Sequence, residues 1–403
     1  MGNNPSDKTV LSYDEHSILY RCENGSIIRQ ISPGKSYRYD LRAKGFIQTN
    51  DNIQIEGEKY FVNNNSPTFI RFDRNIYSDQ IFCIQKGDYK ISFLCPMSVK
   101  NVEYSKEAEK RNEIVFFGVA QNTQMMCKVN RGDLICKMVI NEKLLEYQFD
   151  YVLLCENLIC EHDESTGKIL FIDKNLQSIV YEILPPTLCD GLGEGSLNVK
   201  YDILNCGDEY VMSIKISKEW AKNFTRDFPL FLDFRLREHD EYEFDTYSWV
   251  NRTLYREDEH RVGVVNLGDA YQQFCRMCLK LNIPKYNSDF PVKKATIRVK
   301  YKKGSYKKEL PKIKMLKQKN NKRIGDFNTS NGYESAVWGK IYDDYIEFDF
   351  TEDYQKIADK NKYEATYIFM FYKESSVYFA HLKLMGTDAE KNFPEIIVEY
   401  KGE

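Results

Sequence analysis

The beat of this chain constrains its fold more than any single residue does. Short apolar and β-branched runs are broken, roughly every 8–12 residues, by clusters of turn-forming residues. Examples are Glu23-Asn24-Gly25, Ser32-Pro33-Gly34, Asn63-Asn64-Asn65-Ser66-Pro67 and Lys86-Gly87-Asp88. Between them lie SILYR, KYFV, TFIRF, QIFCIQ and YKISFLC, each the length of one strand. A sandwich or barrel of short strands produces this spacing. The texture continues through EIVFFGVA, MMCKVN, LICKMVI, YVLL, KILFID and SIVYEIL. Tyr210 to Ile216 alternates cleanly, and Ser217 then stands where it can cap one helical turn. A second helix is expected over Glu352–Asn361, with Thr351 as its cap and acidic residues in its first turn. The predicted fold class is all-β, with tandem β-sandwich modules.

Composition agrees. Tyr (29) and Phe (24) fill pleated, half-buried surfaces well. A chain of 403 residues exceeds what one core serves, so several domains are expected. Lys+Arg (57) and Asp+Glu (60) nearly cancel, so no global field points to nucleic acid or to a membrane surface. No apolar run approaches a membrane span, and no basic start leads into an apolar core, so an ordinary cleaved signal is not expected. Met1 to Ser6 fits the short myristoylation pattern, which chance matches often fill. The eleven cysteines sit mostly inside apolar runs, where a free thiol behaves as a small hydrophobe in a reducing cytosol. Cys275 and Cys278 form a CxxC, but it lies in a strand-like run without a second ligand pair, so no zinc site is assigned.

Ordered segments carry a family resemblance. YVMSIKISKEWAKNFTRDFPLFLDF, through Trp220, Phe228, Pro229 and Asp233, resembles the end of the β-rich segment of clostridial wall-associated and Rhs-type proteins. Downstream, Leu279, Leu281, Ile283 and Pro284, then Ala295, Thr296, Ile297, Arg298 and Val299, fit the start of a DNRLRE-type domain. IEFDFTEDYQKIADKNKYEATYIFMFYKE and FPEIIVEY resemble that domain's strand, helix, strand and closing strand. The resemblance implies a jelly-roll sandwich at the carboxy terminus, of a kind found in large bacterial and archaeal surface proteins. Three domains are expected: a small β-module over 1–100, a β-rich module over 101–235 and the jelly-roll-like sandwich over 236–403.

Chemistry is sparse in the sequence. His16, His162, His239, His260 and His381 are far apart and show no metal-binding spacing. No phosphate loop or nucleophile elbow appears. Glu257-Asp258-Glu259 and Asp343-Asp344 read as solvated turns, and no catalytic residue, metal or cofactor is assigned. Tyr247, Trp249, Tyr255, Tyr333 and Trp338 are the candidates for stacking on sugar rings. From Lys300 to Arg323, ten Lys and one Arg face a single acid, Glu309. Lys300, Lys302, Lys303, Lys307, Lys308, Lys312, Lys314 and Lys317 are therefore the candidates for gripping a polyanion. Arg131-Gly132-Asp133 reads as a turn.

The functional expectation is a non-enzymatic structural or interaction protein of a surface, coat or tail-like assembly. It would be made in the cytoplasm and incorporated into a spore, phage-tail-like or surface structure. Its partners would be other subunits or cell-surface polymers, including a glycan held by the C-terminal sandwich, with nucleic acid not expected. The alternatives are a polysaccharide-acting hydrolase or lyase, and polyanion binding through Lys300–Arg323.

Overall fold

The computed structural model describes residues 8–401 apart from 34–36, 41–44, 50, 64–67, 75–78, 96–100, 104–112, 193–194, 197, 224–225, 241–242, 251–252, 256–258, 267–271, 285–290, 304–311, 319–332, 357–361, 372–380 and 387–392. Within some strands, including those carrying Trp249, Tyr255 and Tyr333, only the backbone of such residues is described. The described chain is all-β, built from antiparallel sheets with two short helices. Among the described residues, no helix is long and apolar enough to cross a membrane.

The chain divides into two units rather than the three expected. One unit is Thr49–His239; the other joins Met1–Gln48 to Asp240–Glu403. The boundary expected at 235 lies four residues before the observed division after His239, whereas strand pairing shows why the boundary expected at residue 100 fails. Tyr89–Leu94 pairs directly with Gln148–Glu156, so the first expected module shares a sheet with the second. The hairpin Ser17–Cys22 and Ile27–Ile31 belongs instead to the carboxy-terminal unit, because Ile27–Ile31 pairs with Glu395–Tyr400.

In the Thr49–His239 unit, an eight-stranded and a ten-stranded sheet share one core. Side chains reach across between the two layers. Phe72 meets Phe116 at 6.5 Å between ring centres, and the Tyr151 hydroxyl lies 3.2 Å from the Met138 Sδ. Thr123–Asn130 alternates buried and half-buried residues along its whole length, the pattern of a strand with one face on the core. Its hairpin to Asp133–Ile140 turns at Arg131-Gly132, both with positive φ, so the Arg-Gly-Asp tripeptide is a turn, as expected. Asp51 caps it, accepting the Arg131 N–H at 2.7 Å and the Gly132 N–H at 3.3 Å. Ser217 caps Lys218–Ala221 as expected, its hydroxyl accepting the Trp220 N–H at 3.4 Å.

In the other unit a seven-stranded and an eight-stranded sheet enclose the second core. Phe348 of one layer meets Phe369 of the other edge-on at 5.0 Å. From Gln272 onward the chain repeatedly changes sheet. Gln272–Pro284 lies in the eight-stranded sheet, Val292–Lys300 in the seven-stranded one, and Ile313–Gln318 and Tyr333–Trp338 back in the first. Lys340–Ile341 and Tyr345–Asp349 return to the second, Lys362–Phe371 to the first and Glu395–Tyr400 to the second. This crossing makes a jelly-roll-like sandwich. The helix is Thr351–Gln355, starting one residue earlier than expected with Phe350 at the cap position and closing at Lys356. Residues 357–361 of the expected run lie outside the described residues. Thr351 does not cap it: its hydroxyl accepts the Ala295 N–H at 2.9 Å and donates to Asp349 at 2.6 Å.

Candidate functional site

The carboxy-terminal sandwich carries an open cleft of about 630 Å³. Tyr333–Trp338 ends the eight-stranded sheet, and its Ser335, Ala336 and Val337 form one wall. Lys293, Lys294 and Glu399, from the seven-stranded sheet, form another. Phe350 and the first turn of the Thr351–Gln355 helix complete the lining. Fixed polar groups therefore surround a partly apolar floor.

Each wall is braced. Lys293 Nζ lies 2.7 Å from Glu399 Oε1. Lys294 Nζ lies 2.8 Å from Glu347 Oε1, and Arg298 Nε donates to the other oxygen at 3.0 Å. Burial pushes the Glu347 carboxyl up, but the hydrogen bonds and charges of Lys294 and Arg298 outweigh it and hold the group below its ordinary value. The Ser335 hydroxyl donates to the buried Asp353 at 2.8 Å, and Lys317 Nζ lies 3.8 Å from the other Asp353 oxygen. Behind Asp353, Phe350 packs edge-on against Tyr363 and Tyr367, whose hydroxyls meet each other. Asp349 accepts both the Thr351 N–H and its hydroxyl. A ligand entering the cleft would thus meet carboxylates and ammonium groups already held in position.

Of the five aromatic candidates, Trp338 has the described geometry of a stacking ring. It is 52 % exposed and lies one pleat beyond Ala336 on the same face of its strand. Tyr247 is a correction: it is 6 % exposed, within a strand whose described residues Phe244–Ser248 are all buried, and offers no ring face to a ligand. The side chains of Trp249, Tyr255 and Tyr333 lie outside the described residues. Their strands still decide one point. Trp249 and Tyr255 belong to neighbouring strands at one edge of the sheet, whereas Tyr333 and Trp338 form the opposite edge. Four strand steps of about 4.8 Å separate Glu243–Val250 from Tyr333–Trp338, so the backbone does not place the five in one group.

The lysine run is likewise divided. Lys300 lies in the seven-stranded sheet, while Lys314 and Lys317 lie in the eight-stranded one. Lys300 pairs with Asp344 at 3.1 Å and Lys317 with Glu334 at 3.2 Å. Lys302, Lys303 and Lys312 are exposed, and Lys307 and Lys308 lie outside the described residues. Of the six described lysines, Lys300 and Lys317 thus have their charge offset by acids brought to them by the fold.

Sequence spacing also missed a donor set. His16 Nε2 lies 2.8 Å from Asp240 Oδ2, a residue 224 positions away, and Glu15 completes a trio whose ligand atoms all fall within 4.8 Å. One imidazole and two carboxylates are donors that a divalent cation accepts. Asp14 orders this turn by accepting the His16 N–H, the Ser17 N–H and hydroxyl, and Arg29. Nothing local in the sequence links residue 16 to residue 240. The CxxC lies in the Gln272–Pro284 strand with both thiols buried, in keeping with the strand reading.

No family model matches the chain, and no curated protein matches it. Among solved structures it is similar to the crystal structure of the N-terminal domain of the Streptococcus gordonii adhesin Sgo0707. The identity is 9 %, with a TM-score of 0.18, over 98 % of this chain and 92 % of that chain. A likeness at that TM-score carries no argument about fold or role.

Proposed function

We propose that this protein is a non-enzymatic interaction module of a surface, coat or tail-like assembly, and that its carboxy-terminal sandwich binds a glycan at the cleft beside Trp338. The observation that supports this reading is the juxtaposition of an exposed indole with a wall of pre-positioned polar groups. Pyranose rings present apolar faces to aromatic rings and hydroxyls to fixed donors and acceptors. The resemblance of residues 240–403 to a DNRLRE-type domain accords with such a role.

Binding fits the cleft better than hydrolysis does. A glycosidase needs two carboxylates facing one another across the scissile bond. Of the four carboxylates lining the cleft, Asp349, Asp353 and Glu399 are tied to Thr351, Ser335 and Lys293. They serve as fixed acceptors.

The test is a glycan and cell-wall-polymer array at low and raised salt, comparing the wild type with Trp338→Ala. The expected result is binding that survives salt and falls about tenfold in the variant, equivalent to roughly 1.4 kcal/mol. Binding abolished by salt and indifferent to Trp338 would instead place the grip on the lysine run. No binding to any polymer would remove the glycan reading.

A further inference from the structure

The Thr123–Asn130 and Asp133–Ile140 hairpin brings two thiols together. In a hairpin closed by a two-residue turn, the flanking residues, here Asn130 and Asp133, form a hydrogen-bonded pair, and the pair type alternates outward. Val129–Leu134 is then non-hydrogen-bonded, Lys128–Ile135 hydrogen-bonded, and Cys127–Cys136 non-hydrogen-bonded. Partners of that last type stand about 4.5 Å apart at Cα, with their side chains on one face. A disulfide spans roughly 4.4–6.8 Å between Cα atoms, so the backbone need not move to admit one. The two Sγ atoms lie 3.2 Å apart, and both residues are fully buried. Cysteines in other described strand pairs face different residue types: Cys83 faces Arg71 and Ser92, Cys155 faces Ile91, Cys160 faces Phe171, and Cys278 faces Tyr247 and Ile368.

We infer that Cys127 and Cys136 are a cross-link site, closing to a disulfide when the chain folds in the presence of a small-molecule disulfide oxidant. One cysteine thiolate attacks the small disulfide, forming a mixed disulfide and releasing one thiol. The other cysteine thiolate then displaces the second half. Two protein thiols lose two protons and two electrons, and the oxidant becomes two thiols. Timing follows from burial. Desolvation and the neighbouring thiol raise Cys136 well above its ordinary value, so the pair is unreactive once the facing sheet covers it. Exchange therefore belongs to the folding chain, and the finished bridge is shielded from reductants. The site is independent of the glycan reading, since it lies in the Thr49–His239 unit.

Full-length protein is unfolded, refolded with either oxidised glutathione or dithiothreitol, and alkylated under denaturing conditions. Intact mass and peptide mapping then count and locate the thiols. Oxidative refolding is expected to protect two of the eleven cysteines, joined as a Cys127–Cys136 peptide, and to raise the unfolding midpoint. Reductive refolding leaves all eleven open to alkylation. Alkylation of all eleven after oxidative refolding, or linkage through another cysteine such as Cys95, overturns the inference. So does an oxidatively refolded Cys136→Ser protein in which two cysteines are still protected from alkylation.

Discussion

Glu182 is fully buried, yet two cationic side chains and a histidine converge on it. Arg237 lies 2.7 Å from Oε1, Lys168 lies 2.9 Å from Oε2, and His239 Nδ1 lies 3.2 Å from Oε2. Burial drives the carboxyl upward, but the His239 hydrogen bond and the Arg237 and Lys168 charges outweigh it, leaving the group far below its ordinary value of 4.5. Glu182→Ala would take from the mostly buried Arg237 the carboxylate it pairs with, a change that costs about 3–5 kcal/mol. Glu182→Gln keeps an acceptor but loses the charge, and should cost about 1.5–3 kcal/mol. Urea unfolding of the intact protein at neutral pH, followed by circular dichroism, measures both. The acid limb has a definite sign. The unfolded chain takes up the proton more readily, so the contribution of Glu182 is present above pH 4.5 and is lost as pH falls below it. Glu182→Gln should therefore approach wild type in acid. A Glu182→Ala cost under about 1 kcal/mol, or a gap between wild type and Glu182→Gln that persists in acid, would refute the reasoning.

Three further outcomes follow from the same structure. Burial raises the Asp51 carboxyl against the opposing turn amides, so the stability linked to this group is lost as pH rises through its folded-state value, opposite in sign to Glu182. Asp51→Ala should cost about 1–3 kcal/mol by leaving the Arg131 and Gly132 amides uncapped, with Asp51→Asn milder, as read by urea unfolding. A Cβ at Gly339, where the chain changes sheet, would stand 2.5 Å from Ile346 Cγ2 and 2.8 Å from Phe348 Cε1; Gly339→Ala should cost about 1–3 kcal/mol in thermal unfolding. Fragment 49–239 should unfold cooperatively alone, whereas fragment 240–403, lacking the buried Ile27 and Ile31 and exposing the edge of Glu395–Tyr400, should aggregate until 1–48 is supplied.

What the sequence made legible was whatever a local period records. The strand at Tyr210 to Ile216 and the Ser217 turn are one-strand or one-turn facts, and both stand in the structure. The all-β character of the chain and its sandwich layering were legible in the same way. The nesting of one unit inside the other was not, because Ile27–Ile31 finds its partner strand near the opposite end of the chain, and no local pattern encodes that pairing. The same distance hid His16 from Asp240. Tyr247 was misread because its strand is covered on both faces, where alternation no longer separates core from surface. The lysine run looked like one basic block because sequence shows neighbours along the chain, whereas Asp344 and Glu334 reach Lys300 and Lys317 only across strands. The cleft itself depends on where Ser335, Asp353 and Lys294 meet, which no spacing announces.

The most direct test of the glycan reading is hydrogen exchange, followed by mass spectrometry, on the intact protein with and without its best array ligand. Protection confined to Tyr333–Trp338 and the Asp349–Asp353 turn, and absent in Trp338→Ala, is the predicted result. Protection elsewhere, with those two segments unchanged by a ligand that binds, would contradict it.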